Sequence, residues 1–241
     1  MDITVIYSTG RKARSCSYGI AQLLIGSLLD GGTLHEFQLP RDFSHLCVGC
    51  YACIEGREDR CGGHEALAPI IAAMERSDLI VLCTPTYVYH TPGQMKALLD
   101  HFAYRWVVHR PDLSFMKKQA VIIGTGAGGG LCSAARDIKD STDHWGIGRT
   151  YVLTQRVWGY GWTTLPDSFR KAAAAKVEKV AARVRRHADR PVPSCKVRAL
   201  FYLYRRLHRD RKMTPVDDEG CFIIDYSLYD AYRTGFRRVA F

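Results

Sequence analysis

Short apolar runs alternate with helical patterns through the first 190 residues. Ile3 to Tyr7 is a β-rich run that ends in a polar loop, and Ile20, Leu23, Leu24 and Leu28 then recur near the spacing of one helical face. Leu34 to Leu39 predicts a weaker strand, followed by a cysteine-rich loop. Leu67, Ile70, Ile71 and Met74 follow the i, i+3, i+4, i+7 rule of an amphipathic helix. Asp78 to Cys83 is nearly continuous in apolar residues, as expected of a strand covered on both faces in a parallel sheet. The loop from Thr84 to Pro92 leads into a helix carrying Met95, Leu98, Leu99 and Phe102. Ala120 to Ile123 predicts a fourth strand, closed by a glycine-rich stretch and a polar helix. Thr150 to Val157 predicts a fifth, and Asp167 opens a long helix with Val177, Val180 and Val184 on one face.

This alternation predicts a doubly wound α/β domain over residues 1–190, with right-handed crossovers limiting the topology. Such sheets bind ligands beyond the carboxyl ends of their strands. The loops after strands one, three and four are therefore expected to line one site. Residues 191–241 form a C-terminal extension, in which Val197, Leu200, Phe201, Tyr204 and Leu207 mark an amphipathic helix and Phe222 to Tyr226 a short strand or extended arm. A helix half apolar and strongly basic is most simply a docking or oligomerisation element on a partner subunit. An interfacial membrane helix is the lesser reading.

A chain of 241 residues with 47% hydrophobic content can bury one substantial core. Its net charge of +10 is uneven: residues 170–213 hold 15 Lys or Arg against 3 acids, leaving the remainder slightly acidic. A block of this kind is usually a solvated helix face; an anionic partner, a membrane surface or a dinucleotide 2′-phosphate would use the same charge. No helix-turn-helix, zinc-finger or RNA-recognition signature accompanies it, so nucleic acid is not an expected partner. No stretch approaches the roughly 18 apolar residues of a transmembrane segment. Met1 and Asp2 precede an apolar run too short for a signal peptide and without a basic leader, and nine cysteines do not pair off. A cytoplasmic, reducing environment is the expectation.

The unusual loops carry the candidate chemistry. Ser8-Thr9-Gly10-Arg11-Lys12-Ala13-Arg14-Ser15-Cys16-Ser17 sets hydroxyls and cations ahead of a helix N-terminus, the composition of a phosphate cradle, although the Walker order is missing. In Thr84 to Pro92, tyrosines and prolines could frame a flat aromatic ligand. Gly124 to Gly129 matches G-x-G-x-x-G, but about 120 residues precede it, whereas the dinucleotide fingerprint opens the first βαβ unit. These glycines read instead as letting backbone approach a bound ring. Cys47, Cys50, Cys53 and Cys61 form a C-x2-C-x2-C-x7-C run. Thiolates at that density suit an iron-sulfur cluster, with zinc or unliganded thiols as alternatives.

On these residues the chain resembles the flavodoxin-like NADPH-dependent FMN reductase family, especially its iron-sulfur flavoprotein branch. The resemblance covers roughly residues 1–190 and implies a five-stranded parallel sheet of order 2-1-3-4-5. The family's first loop commonly reads G-S-P-R-K and binds the FMN phosphate; Ser8, Arg11, Ser15 and Ser17 are the counterparts here, with Thr9-Gly10 replacing the proline. Pro85-Thr86-Tyr87 and Met95-Lys96-Ala97-Leu98-Leu99-Asp100 are similar to the family's P-x-Y loop and L-K-x-x-x-D helix. By that resemblance Pro85, Thr86, Tyr87, Val88 and Tyr89 contact the ribityl chain and ring, and Thr125, Gly126 and Gly128 line its other side. The cysteine run looks like the branch's [4Fe-4S] motif.

The implied activity is an oxidoreductase passing electrons from NAD(P)H through FMN to a small acceptor, with no catalytic side chain expected, since hydride transfer needs orientation more than acid or base. The alternative is an electron-transfer protein with FMN and [4Fe-4S] in series and a ferredoxin-like partner. A structural zinc protein, recruiting His45, His64, His90 or His101, is a third class. Family habit and the apolar tail imply a homodimer or homotetramer. Trp145, Trp158 and Trp162 read as core or interface anchors, one of which could cover the flavin.

Overall fold

The computed structural model of the protein describes residues 1–107, 110, 112–189 and 192–210, so Phe222 to Tyr226 lies outside the described residues. In chain order the elements are β1 (Ile3–Tyr7), α1 (Cys16–Leu28), β2 (Leu34–Gln38), α2 (His64–Arg76), β3 (Leu79–Pro85), α3 (Gly93–Asp100), α4 (Ala103–Val107) and α5 (Leu113–Met116). They continue with β4 (Gln119–Gly126), α6 (Leu131–His144), β5 (Arg149–Arg156), α7 (Asp167–Arg186) and α8 (Cys195–Asp210). All strand pairs are parallel, and the order is β2-β1-β3-β4-β5, as the resemblance implies.

Period-two alternation sends opposite faces of the sheet into two cores. Ile3, Val5, Leu79, Val81, Val121 and Ile123 pack under α1 and α7, meeting Leu24, Val177 and Val180. Ile6, Ile80, Leu82, Ala120 and Ile122 face the other side, where Ile70, Met95, Leu98, Ile138 and Trp145 from α2, α3, α6 and the segment after α6 close the second core. Trp145 is thus a core anchor. β3 and β4 both run further than the apolar pattern indicates: Thr84 pairs with Gly124 and Pro85 with Thr125. The ladder overrides the low strand propensity of glycine and proline because β4 has a partner on each side. Its effect is to carry the loops after β3 and β4 side by side to the carboxyl edge.

The amphipathic helix at 195–210 docks on its own chain. Val197 and Phe201 are buried, and the Tyr204 ring meets His144 edge-on at 5.6 Å. Lys196 lies 2.8 Å from the buried Asp143 carboxylate of α6, which Lys139 approaches at 2.7 Å. Removing both lysines would leave that carboxylate buried without a partner. The double variant Lys139→Ala/Lys196→Ala is expected to lose about 3 kcal/mol of stability in urea; an unchanged midpoint would show that Asp143 does not anchor α8. Among the described residues no helix is long and apolar enough to cross a membrane.

Candidate functional site

Three loops meet at the carboxyl edge of the sheet, beside the switch between β1 and β3. In the first, Ser15 caps α1, its hydroxyl accepting the Tyr18 N–H at 3.0 Å, which leaves the opening N–H groups of a 13-residue helix directed at the loop. Ser8 is fully buried and donates to the Cys83 carbonyl at 3.0 Å, tying the loop to β3. Ser17 is buried 3.3 Å from Ser15. Arg11 is exposed, its guanidinium held by the Tyr160 carbonyl, and Lys12 adds a second cation at φ +45°. The Gln94 amide reaches the Ser8 carbonyl at 2.9 Å, joining α3 to this loop.

The loops after β3 and β4 are fastened to each other. The Thr86 N–H donates to the Thr125 carbonyl at 2.7 Å, and within the loop after β3 the Thr84 and Thr91 hydroxyls lie 2.8 Å apart. A Cβ at Gly126 would stand 3.1 Å from the Thr86 side chain, one at Gly129 2.8 Å from the Tyr89 ring, and one at Gly130 2.4 Å from the Tyr89 backbone. Part of the glycine run therefore accommodates loop three, where the sequence suggested close approach to a ring alone. Gly128 is the exception, with open space around it. The Thr86 hydroxyl is buried without a hydrogen-bond partner, an arrangement that usually implies a missing ligand or water. Pro85 is partly buried, whereas Tyr87, Val88 and Tyr89 are exposed.

A fourth loop joins them. The Val157 N–H donates to the Gly126 carbonyl at 2.9 Å, a Cβ at Gly161 would stand 2.8 Å from the Arg14 carbonyl oxygen, and Trp162 packs onto Gly19. Trp162 is thus an anchor, while Trp158 and Tyr160 are left 75% and 89% exposed beside the site. The alternation Trp158-Gly159-Tyr160-Gly161-Trp162 is the signal that marks this loop; the sequence reading names Trp158 and Trp162 as anchors or a cover for the flavin but assigns the site to the loops after strands one, three and four alone.

Two ionisable groups lie beneath the edge. Burial, then the neighbouring Cys83 and Glu36, push the Tyr7 hydroxyl far up, and it donates to Glu36 at 2.7 Å. Burial also pushes the Cys83 thiol far up. Both groups stay protonated near neutral pH.

The cysteine run leaves β2 on the same edge. Arg110 donates to the Cys53 carbonyl, pairs with Glu58 at 2.6 Å and lies over the Tyr104 ring, holding the loop against the body of the protein. Cys47 and Cys50 are exposed, whereas Cys53 and Cys61 are half-buried and line a cavity of about 240 Å³ with His64 and His101. Burial, and behind it the other three thiols, raise the Cys53 pKa. Among the described residues no three His, Cys, Asp or Glu side chains form a group that could hold a metal ion. Two of the four candidate histidines have other partners: His101 donates through Nδ1 to the Ala97 carbonyl at 2.7 Å, and His90 faces Asp137.

A five-stranded parallel sheet of order 2-1-3-4-5 with helices on both faces is a flavodoxin-like fold. Solved structures agree on the fold. An FMN-dependent NADH-azoreductase from Bacillus anthracis in complex with FMN superposes with a TM-score of 0.58 at 13% identity, covering 76% of this chain and 98% of its own. An NAD(P)H:quinone oxidoreductase from Methanothermobacter marburgensis gives 0.57 at 16%, covering 76% and 96%. In sequence, an iron-sulfur flavoprotein from Methanosarcina thermophila is 26% identical and an FMN-dependent NADH:quinone oxidoreductase from a Bradyrhizobium strain 27%, each over 147 residues, 58% of this chain and 72% of the relative. The chain belongs to the NADPH-dependent FMN reductase family, which matches residues 1–162. It is accordingly an NAD(P)H-dependent flavin oxidoreductase.

Proposed function

We propose that the first loop holds the FMN phosphate, that the loops after β3 and β4 hold the ribityl chain and ring, and that the acceptor is a small molecule of the quinone class. The buried, unpartnered Thr86 hydroxyl at the joint of the two ring-side loops carries this reading, and the quinone oxidoreductase relative supports the acceptor class. Bound FMN would supply the hydride-accepting and electron-passing chemistry, and this chain's residues would hold and orient it. The opening N–H groups of α1, with Arg11 and Lys12, offset the phosphate charge. Thr86 supplies a hydrogen bond to the cofactor, and Gly128 leaves room for a ring.

Residues 1–190 form the FMN-binding domain and 191–241 an extension whose helix α8 braces α6. Leu46, Val48, Tyr51, Tyr87, Val88 and Trp158 expose apolar surface on loops of one edge, which supports a homodimer or homotetramer that covers it. The free thiols among the described residues suit a cytoplasmic location. The second reading, a ferredoxin-linked carrier with a [4Fe-4S] cluster on Cys47, Cys50, Cys53 and Cys61, is favoured by the Methanosarcina relative and needs the loop to rearrange. Protein purified without oxygen is the test: stoichiometric FMN without iron, and rapid quinone reduction by NADPH, are expected. Iron and sulfide in cluster ratio, with fast oxidation of reduced ferredoxin and slow use of NADPH, would establish the carrier instead.

A further inference from the structure

Loop three turns on two residues that resist the turn. Tyr87 and His90 exchange backbone hydrogen bonds of 2.9 and 3.0 Å around Val88 and Tyr89, whose φ values are +46° and +68°. Both central positions of such a turn favour Asn or Gly, and a β-branched valine there is an outlier. Strain of this kind persists only when the surroundings hold it, and it gathers at ligand sites. Tyr89 is held on one side by its packing on Gly129 and Gly130. On the other, the Asp137 carboxylate of α6 accepts the Thr91 N–H at 3.0 Å and stands 3.1 Å from His90 Nδ1. A carboxylate only accepts, so that nitrogen carries the proton. Asp137 therefore grips two consecutive residues, His90 and Thr91, at the close of the hairpin.

We propose that Asp137 is a positioning residue of the flavin site, fixing through the 87–90 hairpin where Thr86 and Tyr87 stand against the ring. The proposal rests on loop three being a wall of the FMN site. The Asp137 side chain is half-buried, 28% exposed, and its hydrogen-bond partners are His90 and Thr91 of the loop, so its removal acts first on the loop.

Apoprotein of the wild type, Asp137→Ala and Asp137→Asn is titrated with FMN, and each is melted without FMN. Alanine is expected to weaken FMN about tenfold or more by removing a charged acceptor, with little change in apoprotein melting. Asparagine still accepts the Thr91 N–H and is expected to stay within about threefold of wild type. Wild-type affinity in the alanine variant, equal loss in both variants, or loss matched by a collapse of apoprotein melting would overturn the proposal. Should the alanine variant fail to fold, amide exchange in the wild type decides: protection at Thr91 supports the grip, and exchange at the rate of a free amide overturns it. Failure of the wild type itself to bind FMN would instead remove the flavin reading and leave the hairpin without that role.

Discussion

Gly130→Ala is expected to release FMN and to destabilise the protein by about 3 kcal/mol, because it combines a left-handed alanine with a close backbone contact. Gly130 opens α6 at φ +84°, and a Cβ there would stand 2.4 Å from the Tyr89 Cα and 2.7 Å from its carbonyl oxygen. Backbone atoms cannot rotate away as a side-chain tip can. Relief requires the loops after β3 and β4 to separate, which opens the joint where Thr86 is buried. Gly128→Ala, two residues away, meets nothing within 4 Å and is expected to leave thermal stability intact while weakening FMN, since its new methyl group enters the space left for the ring. Melting curves and FMN titrations of the two variants check this. Equal stability of the two variants would mean that the contact between loops is not maintained in solution.

Ser15→Asp is expected to separate stability from cofactor binding. Aspartate is as good a helix cap as serine, so the bond from the Tyr18 N–H survives, and a negative charge at the start of α1 stabilises the helix by up to about 1 kcal/mol. The same charge stands where the FMN phosphate would sit. At roughly 5 Å in a partly buried loop, like charges repel by about 3 kcal/mol, close to a hundredfold in affinity. The apoprotein should melt close to the wild-type temperature, the helix-end gain offsetting the cost of a larger charged group at a position only 8% exposed, while FMN binding falls about a hundredfold, less so in high salt. Undiminished FMN affinity would place the phosphate elsewhere.

The central strands β1, β3 and β4 were legible because their burial is nearly uniform. Leu79 to Cys83 is buried on both faces, and a continuous apolar run has few other meanings. The far ends of β3 and β4 were not, since Pro85 and Gly124 to Gly126 carry no strand signal of their own and enter the sheet only through their neighbours. The loops of the site were recognisable by composition, but their mutual contacts were not. Nothing in Val88-Tyr89 announces a turn at positive φ, because the sequence lacks the Asn-Gly signal and the turn is held by Asp137 and Gly130 from outside it. The cysteine run shows the same limit from another side. Its spacing describes ligands, whereas the position of Cys53 depends on Arg110, 57 residues away in sequence. The apolar stripe of α8 was plain, yet its partner was hidden in a helix that reads as polar, where the buried carboxylate of Asp143 has meaning only beside Lys139 and Lys196.

The measurement that bears most directly on the function is the reductive half-reaction. Protein reconstituted with FMN, freed of unbound flavin and mixed with NADPH without oxygen should show the flavin absorbance bleach within the time of a single turnover and return when a quinone is added. Protein that retains no FMN, or whose bound FMN stays oxidised in the presence of both NADPH and NADH, would contradict the assignment of this chain's site to nicotinamide-driven flavin chemistry.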